Sequence, residues 1–177
     1  TNILTTNIGT QTTTEFGGGV YRYGFGTGDF RHQLILRPSE LTANGYKAGA
    51  SLSALAFSVS SVGSGSADDY TISLANVSPT AVASTTFDNV ATLTQVYTAA
   101  TYTAVSGLNT HTFQTPFVWD GTSSLLINIC YSVASIGSSS TLNASTPAFL
   151  SNTNLLGSAG ACTATTGSTF ANRPLVR

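Results

Sequence analysis

Apolar residues in this chain recur at every second position, not every third or fourth, and that period sets the first structural expectation. Leu55, Phe57 and Val59 alternate with Ala56 and Ser58; Tyr70, Ile72 and Leu74 alternate with Thr71 and Ser73. Across residues 109–117, His111 and Phe113 fall on one face, with Thr110, Thr112 and Gln114 on the other. Leu125, Ile127, Ile129 and Tyr131 share a face opposite Leu126, Asn128 and Cys130. A strand sends successive side chains to opposite faces, so each run reads as a strand with one buried face. Turn clusters separate the runs: Gly63-Ser64-Gly65-Ser66, residues 76–79, Asp120-Gly121 and residues 137–140. Short alternating strands punctuated in this way predict an all-β fold, an antiparallel β-sandwich of jelly-roll-like type. At most one short helix interrupts it, expected near residues 39–45, with Ser39 as its cap behind Pro38 and Gly45 as its stop.

No internal repeat and no domain boundary is visible, so residues 1–177 read as a single β-sandwich domain. Residues 1–15 stand apart. They are Thr-rich, β-prone and nearly uncharged, and Ile3 and Ile8 are their apolar anchors. Such a segment is expected either as an edge strand of its own sheet or as a strand exchanged with a neighbour.

Composition narrows the class. Only 7% of residues are charged although 41% are hydrophobic, whereas an ordinary globular domain is about a quarter charged. Six Lys and Arg against seven Asp and Glu leave a net charge of −1. That provides no basic stripe for nucleic acid and little repulsion between copies. No apolar run approaches the roughly 20 residues that cross a bilayer, so membrane insertion is not expected. The chain lacks methionine and any signal-peptide pattern, which suggests a processed chain or a trimmed domain.

Cys130 and Cys162 are the only cysteines. An even count in a Thr- and Ser-rich chain of exported character favours a disulfide between them. Two buried free thiols or one catalytic thiol are the alternatives, and the strand setting of Cys130 argues against a nucleophile.

Several stretches carry a family resemblance together. Tyr21-Arg22-Tyr23 leads to His32-Gln33-Leu34-Ile35-Leu36 and Ser39-Glu40-Leu41, and Leu55-Ala56-Phe57 precedes Leu93-Thr94-Gln95-Val96-Tyr97. The clearest run is Phe113-Gln114-Thr115-Pro116-Phe117-Val118-Trp119-Asp120-Gly121-Thr122-Ser123-Ser124-Leu125-Leu126-Ile127, and Asn172-Arg173-Pro174 lies near the end. This resembles a β-sandwich module of secreted and cell-surface, adhesin-like proteins of Bacteroidetes, many exported by the type 9 system. The resemblance spans roughly residues 21–173. It implies an extracellular, non-catalytic module, with one cysteine in the strand after the Trp-Asp-Gly run and another further on, where Cys130 and Cys162 fall.

Candidate chemistry is sparse. In Trp119-Asp120-Gly121-Thr122, Asp-Gly makes a turn, Asp120 accepts backbone hydrogen bonds and Trp119 covers the end of the core. The competing reading makes Trp119 an exposed platform for a sugar. Tyr21, Tyr23 and Phe25 share a face of an extended chain and suit core, subunit contact or a ligand strip. The glycines from Gly17 to Gly26 lack the strand-to-helix setting and Lys-Ser pair of a phosphate loop. Asp68-Asp69 lacks the regular ligand spacing of a calcium loop, so no metal is assigned. His32 and His111 form no nucleophile constellation, and the chain is read as not an enzyme and without a cofactor. Sequons stand at Asn76 and Asn143.

The expectation from these readings is a structural or adhesive subunit of a bacterial surface fibre or surface-protein array, located outside the cell or on its surface. Its partners would be copies of itself or other surface-protein domains. The alternative is a carbohydrate-binding module with polysaccharide as partner, for which Tyr21, Tyr23 and Trp119 would stack.

Overall fold

Alternation along the chain becomes pairing in two antiparallel sheets. The computed structural model describes residues 4–15, 28–88, 92–135, 137–157 and 159–177. The strands are β1 (Thr13–Glu15), β2 (Phe30–Leu36), β3 (Ser51–Ser61), β4 (Ser66–Val77), β5 (Thr94–Tyr102) and β6 (Gly107–Val118). They continue with β7 (Ser124–Ser135), β8 (Thr141–Ser145), β9 (Asn152–Leu156), β10 (Ser168–Phe170) and β11 (Arg173–Pro174). One sheet runs β1-β8-β3-β6, with β11 also on β8; the other runs β10-β9-β2-β7-β4-β5.

The topology is that of a long hairpin wrapped around itself. One arm is β2-β3-β4 and the other is β5-β6-β7, and they pair as β4 with β5, β3 with β6, and β2 with β7. Wrapping then lays β4 against β7, with Ile72 opposite Ile129 and Leu74 opposite Ile127. This gives the expected all-β sandwich. The two inner faces meet in one core, to which β3 contributes Leu55, Phe57 and Val59, and β4 and β7 contribute Tyr70, Ile72, Leu74, Ile127, Ile129 and Tyr131. Each side chain of that size contributes about 1.5–3 kcal/mol by leaving water.

The one α-helix among the described residues, α1 (Pro38–Ala43), begins earlier than its sequence suggests. Arg37, not Ser39, is the N-cap, and Ser39 lies within the first turn. Pro38 supplies the pre-set φ of a first helical residue and has no N–H to leave unsatisfied. Glu40 reaches back to accept the Arg37 N–H at 2.9 Å, so the helix starts where proline and glutamate together satisfy its end. Gly45, at φ +89°, ends it as expected. The Tyr46 N–H reaches the Leu41 carbonyl and the Gly45 N–H reaches Thr42, a Schellman closure.

Two loops clasp at one end of the sandwich. The Ser64 N–H donates to Ser138 Oγ at 3.0 Å and the Ser138 N–H donates to Ser64 Oγ at 3.1 Å. Their backbones approach so closely that a Cβ on Gly63 would overlap the Ser138 carbonyl, and one on Gly137 would overlap that of Ser64. Both glycines are there for that approach.

Strand β2 is buried on both faces. Phe30, Leu34 and Leu36 enter the core, while Arg31, Gln33 and Ile35 point to the outer face of the sheet and are covered by loops. Gln33 brackets Asp88, donating to its carbonyl at 2.9 Å and accepting its N–H at 2.7 Å. The Arg31 guanidinium lies 4.5 Å from the Phe87 ring centroid and donates to Asn128 and to the Ala164 carbonyl. Cys130, opposite Arg31, faces the same way. It is joined to Cys162 in the 3-10 turn Ala161–Thr163 with 5.5 Å between Cα atoms, which pins that turn over the sheet. No helix among the described residues is long and apolar enough to cross a membrane.

Candidate assembly interface

The arm formed by residues 4–15 is bonded to segments far away in the chain. The Ile8 N–H donates to the Val176 carbonyl at 2.7 Å, and the Thr12 N–H donates to that of Ala144 at 2.9 Å. Thr12 Oγ1 lies 3.1 Å from Thr146 Oγ1, Gln11 Nε2 donates to Asn143 Oδ1 at 3.0 Å, and Thr6 Oγ1 donates to Asn44 Oδ1 at 3.2 Å. Beyond them β1 pairs with β8, placing Thr13 opposite Ala144 and Glu15 opposite Leu142. All these partners lie at least 38 positions away in the chain. Ile8 itself is 3% exposed and belongs to the main core.

What receives the arm is mainly β8 and the residues beside it, with Val176 as the partner of Ile8. The Leu175 N–H bonds the Asn143 carbonyl at 2.8 Å, while Arg177 and Ala56 exchange two backbone bonds of 2.7 and 2.9 Å. Val176 is bridged by Ile8 on one side and Phe57 on the other. Val176 therefore lies between the arm and β3, while Arg173 and Pro174 pair with β8. The sequence signal of this segment was the brief apolar pair Leu175-Val176, too short to show a period.

The other sheet closes its edge with a side chain. Gln114 accepts the Thr98 N–H at 3.0 Å and donates to the Thr98 carbonyl at 2.9 Å. At that point the outer rim of β5 offers no unpaired backbone group to a passing strand.

The structure distributes the other candidates as follows. Ile3, Tyr21, Tyr23 and Phe25 lie outside the described residues. Trp119 is 0% exposed, with Nε1 donating to the Ser123 carbonyl at 2.7 Å. A ring enclosed in this way has no face to lay on a sugar, so Trp119 is corrected from a candidate ligand contact to a core residue. Asp120 accepts the N–H groups of Thr122 and Ser123 at 2.8 and 2.7 Å, together with the Ser123 hydroxyl. These bonds, the Ser123 hydroxyl foremost, hold its carboxyl down at about 2. Asp68 accepts from Thr101 Oγ1 at 2.9 Å. Among the described residues no group of three or more His, Cys, Asp or Glu is placed to hold a metal ion.

No family model, curated protein or solved structure matches this chain.

Both histidines are core residues. His111 stacks on Tyr70 with centroids 5.1 Å apart and meets the edges or tilted faces of Tyr97 and Tyr102 at 4.8 Å. His32 packs edge-on to Phe30 at 5.6 Å. Burial lowers His111 to about 4 and His32 to about 3, the latter against a side-chain hydrogen bond with Asn152 that raises it. Both are neutral at neutral pH because burial disfavours the charged imidazolium. A cleft of about 260 Å³ lies beside Gln33, Asp88 and Leu126. Of the side chains that line it, Gln33 is already committed to the Asp88 backbone and Thr153 Oγ1 to the Ser84 carbonyl.

Proposed function

We propose that this chain is a non-catalytic structural or adhesive subunit of a bacterial surface fibre or surface-protein array, working outside the cell. Copies join when the arm of residues 4–15 from one adds to the sheet of the next. The observation that carries this reading is the arm's non-local bonding. Every hydrogen bond described above for it could be made equally well by an arm from another copy, because the acceptor atoms do not register which chain supplies the donor. Main-chain bonds from Ile8, Thr12 and β1 give the joint strength, and the buried Ile8 side chain gives it register.

Two features of the sequence support it. A net charge of −1 opposes association only weakly. Between Glu15 and Phe30 lie 14 residues, six of them glycine, which fully extended would span at most about 50 Å. A domain of this size is about 40 Å across, so that reach suffices for a neighbour. The disulfide and the resemblance to secreted Bacteroidetes modules support the extracellular setting. The carbohydrate-binding alternative has lost Trp119 as a stacking surface.

The test is a pair of cysteines at Thr14→Cys and Asn143→Cys, directly opposite across β1 and β8. Oxidised at high concentration, the variant should give a ladder of covalent oligomers on a non-reducing gel, matching filaments or oligomers of the parent chain by light scattering and negative stain. A lone monomer band at every concentration would sink the proposal. Deleting residues 1–15 should abolish assembly and leave a folded monomer.

A further inference from the structure

Exposed apolar side chains gather at the two ends of the sandwich. Short loops join β3 to β4 and β5 to β6, so the end of β3, the start of β4, the end of β5 and the start of β6 share one end. The register agrees, with Gly107 opposite Val59 and Tyr102 opposite Ala67. At this end, where Ser64 and Ser138 clasp, Val62, Val105 and Leu108 are 42%, 58% and 45% exposed.

The opposite end holds the start of β3 and the end of β6, with Ser51 opposite Val118, and the end of β4 and the start of β7, with Val77 opposite Ser124. Its exposed apolar side chains are Val82, Val118 and Leu150, with Leu4 of the arm beside Gly45. The Ala83 N–H bonds the Leu150 carbonyl just ahead of β9, whose first residue, Asn152, pairs with Leu34 near the end of β2. Among the described residues these are the large apolar side chains left in water. Between the ends, the outward positions of β6 are Thr110, Thr112 and Gln114. Apolar surface concentrated in this way marks contact surfaces, whereas scattered single residues would not.

Charge separates along the same axis. Asp29, Asp68 and Asp69 lie at the first end, beside the starts of β2 and β4. The described cation near them, Arg31 of β2, is buried against the Phe87 ring. The opposite end carries Arg37, stacked 3.9 Å from the Phe149 ring centroid, and the exposed Lys47, against the single carboxylate of Asp120. Arg173 and Glu40 cancel there as an ion pair. Like ends repel, and a negative end suits a positive one.

We propose that copies of this chain stack end to end, the Val62, Val105 and Leu108 end of one meeting the Val82, Val118 and Leu150 end of the next. The contact joins two different surfaces, so it propagates as an open filament and not as a two-fold dimer. The inference rests on the reading of the chain as a self-assembling subunit and adds an axial joint to it. The arm lies along the side of the sheet, on β8, and serves a different contact. Strands then run along the filament, and the 12 residues of β6 set a repeat of at least about 40 Å.

The experiment places the photo-crosslinker p-benzoylphenylalanine at Val105 in the full chain, irradiates it under assembly conditions and maps the joined peptides by mass spectrometry. The two ends of one copy are about 40 Å apart, beyond the reach of the probe. A link to residues 37–50, 79–83 or 118–123 therefore joins two copies, and such links are the expected result. Val118→Glu, a change at an exposed position of the receiving end, should abolish them while leaving the circular dichroism spectrum unchanged. Lys47→Glu should lower their yield about fivefold. No links, links confined to the probe's own end, or links that survive Val118→Glu would overturn the proposal. The covalent ladder from Thr14→Cys and Asn143→Cys reports the arm. A ladder without the crosslink removes the axial joint and keeps the arm joint, and the crosslink without a ladder does the reverse.

Discussion

Acid should unfold this protein in a window set by its two histidines. His32 and His111 are held at about 3 and about 4 by burial, against an ordinary value of 6.5. Above pH 6.5 neither state binds a proton at these sites, and their neutral packing contributes in full. As pH falls below 6.5 the unfolded chain takes up a proton at each imidazole while the folded chain does not, so stability is lost. The loss runs until the folded-state values are reached. One pH unit is worth about 1.4 kcal/mol per site. At pH 5 each histidine therefore removes about 2 kcal/mol, and the two together about 4 kcal/mol. Against a typical total of about 5–15 kcal/mol, that is a large fraction.

Asp120 titrates elsewhere. Its contribution is present above its ordinary 3.8 and lost as pH falls toward about 2, so it is fully present down to pH 5. The assay is urea unfolding at pH 7.5, 6 and 5, followed by far-UV circular dichroism and Trp119 fluorescence. His111→Phe keeps an aromatic ring among Tyr70, Tyr97 and Tyr102 and removes one titrating group. It should cut the loss between pH 7.5 and 5 from about 4 to about 2 kcal/mol. An unchanged pH dependence in this variant, or stability flat down to pH 5 in the parent, would refute the reasoning.

Other consequences are as direct. Replacing both Cys130 and Cys162 by alanine should cost about 3–4 kcal/mol, the loop entropy for a separation of 32 residues, and hydrogen exchange should quicken first in residues 160–167. A loss below about 1 kcal/mol would show that the folded loops hold the turn without the bond. Gly137→Ala should cost on the order of 1–3 kcal/mol as the clasped loops are forced apart, and an unaltered unfolding midpoint would count against the clasp. Native Trp119 emission should be blue-shifted and resist quenching by iodide; ready quenching would return it to the surface.

Much of the architecture was legible because alternation is a local property. Leu55-Phe57-Val59 and Tyr70-Ile72-Leu74 each declare a buried face without reference to any other segment. The helix stop at Gly45 and the turn at Asp120-Gly121 were equally readable, since they depend on what a few neighbouring backbones can adopt. The cap at Arg37 was missed because Ser39 is a stronger cap in isolation than arginine, and only the reach of Glu40 past Pro38 reverses that order.

Tertiary structure alone decided what covers each outer face. Phe30–Leu36 contains Arg31, His32 and Gln33, which locally resemble an exposed edge. They are buried because Phe87, Asp88 and Ala164, more than 50 residues away, lie over one face and the core takes the other. The partners of Ile8 and the pairing of Arg173 with Ser145 likewise exist only once residues 173–177 lie beside β3 and β8. The chain's pattern determines which side of a strand avoids water. Which distant segment excludes the water is set by long-range pairing, where loop-closure entropy and packing are settled together for the whole sandwich.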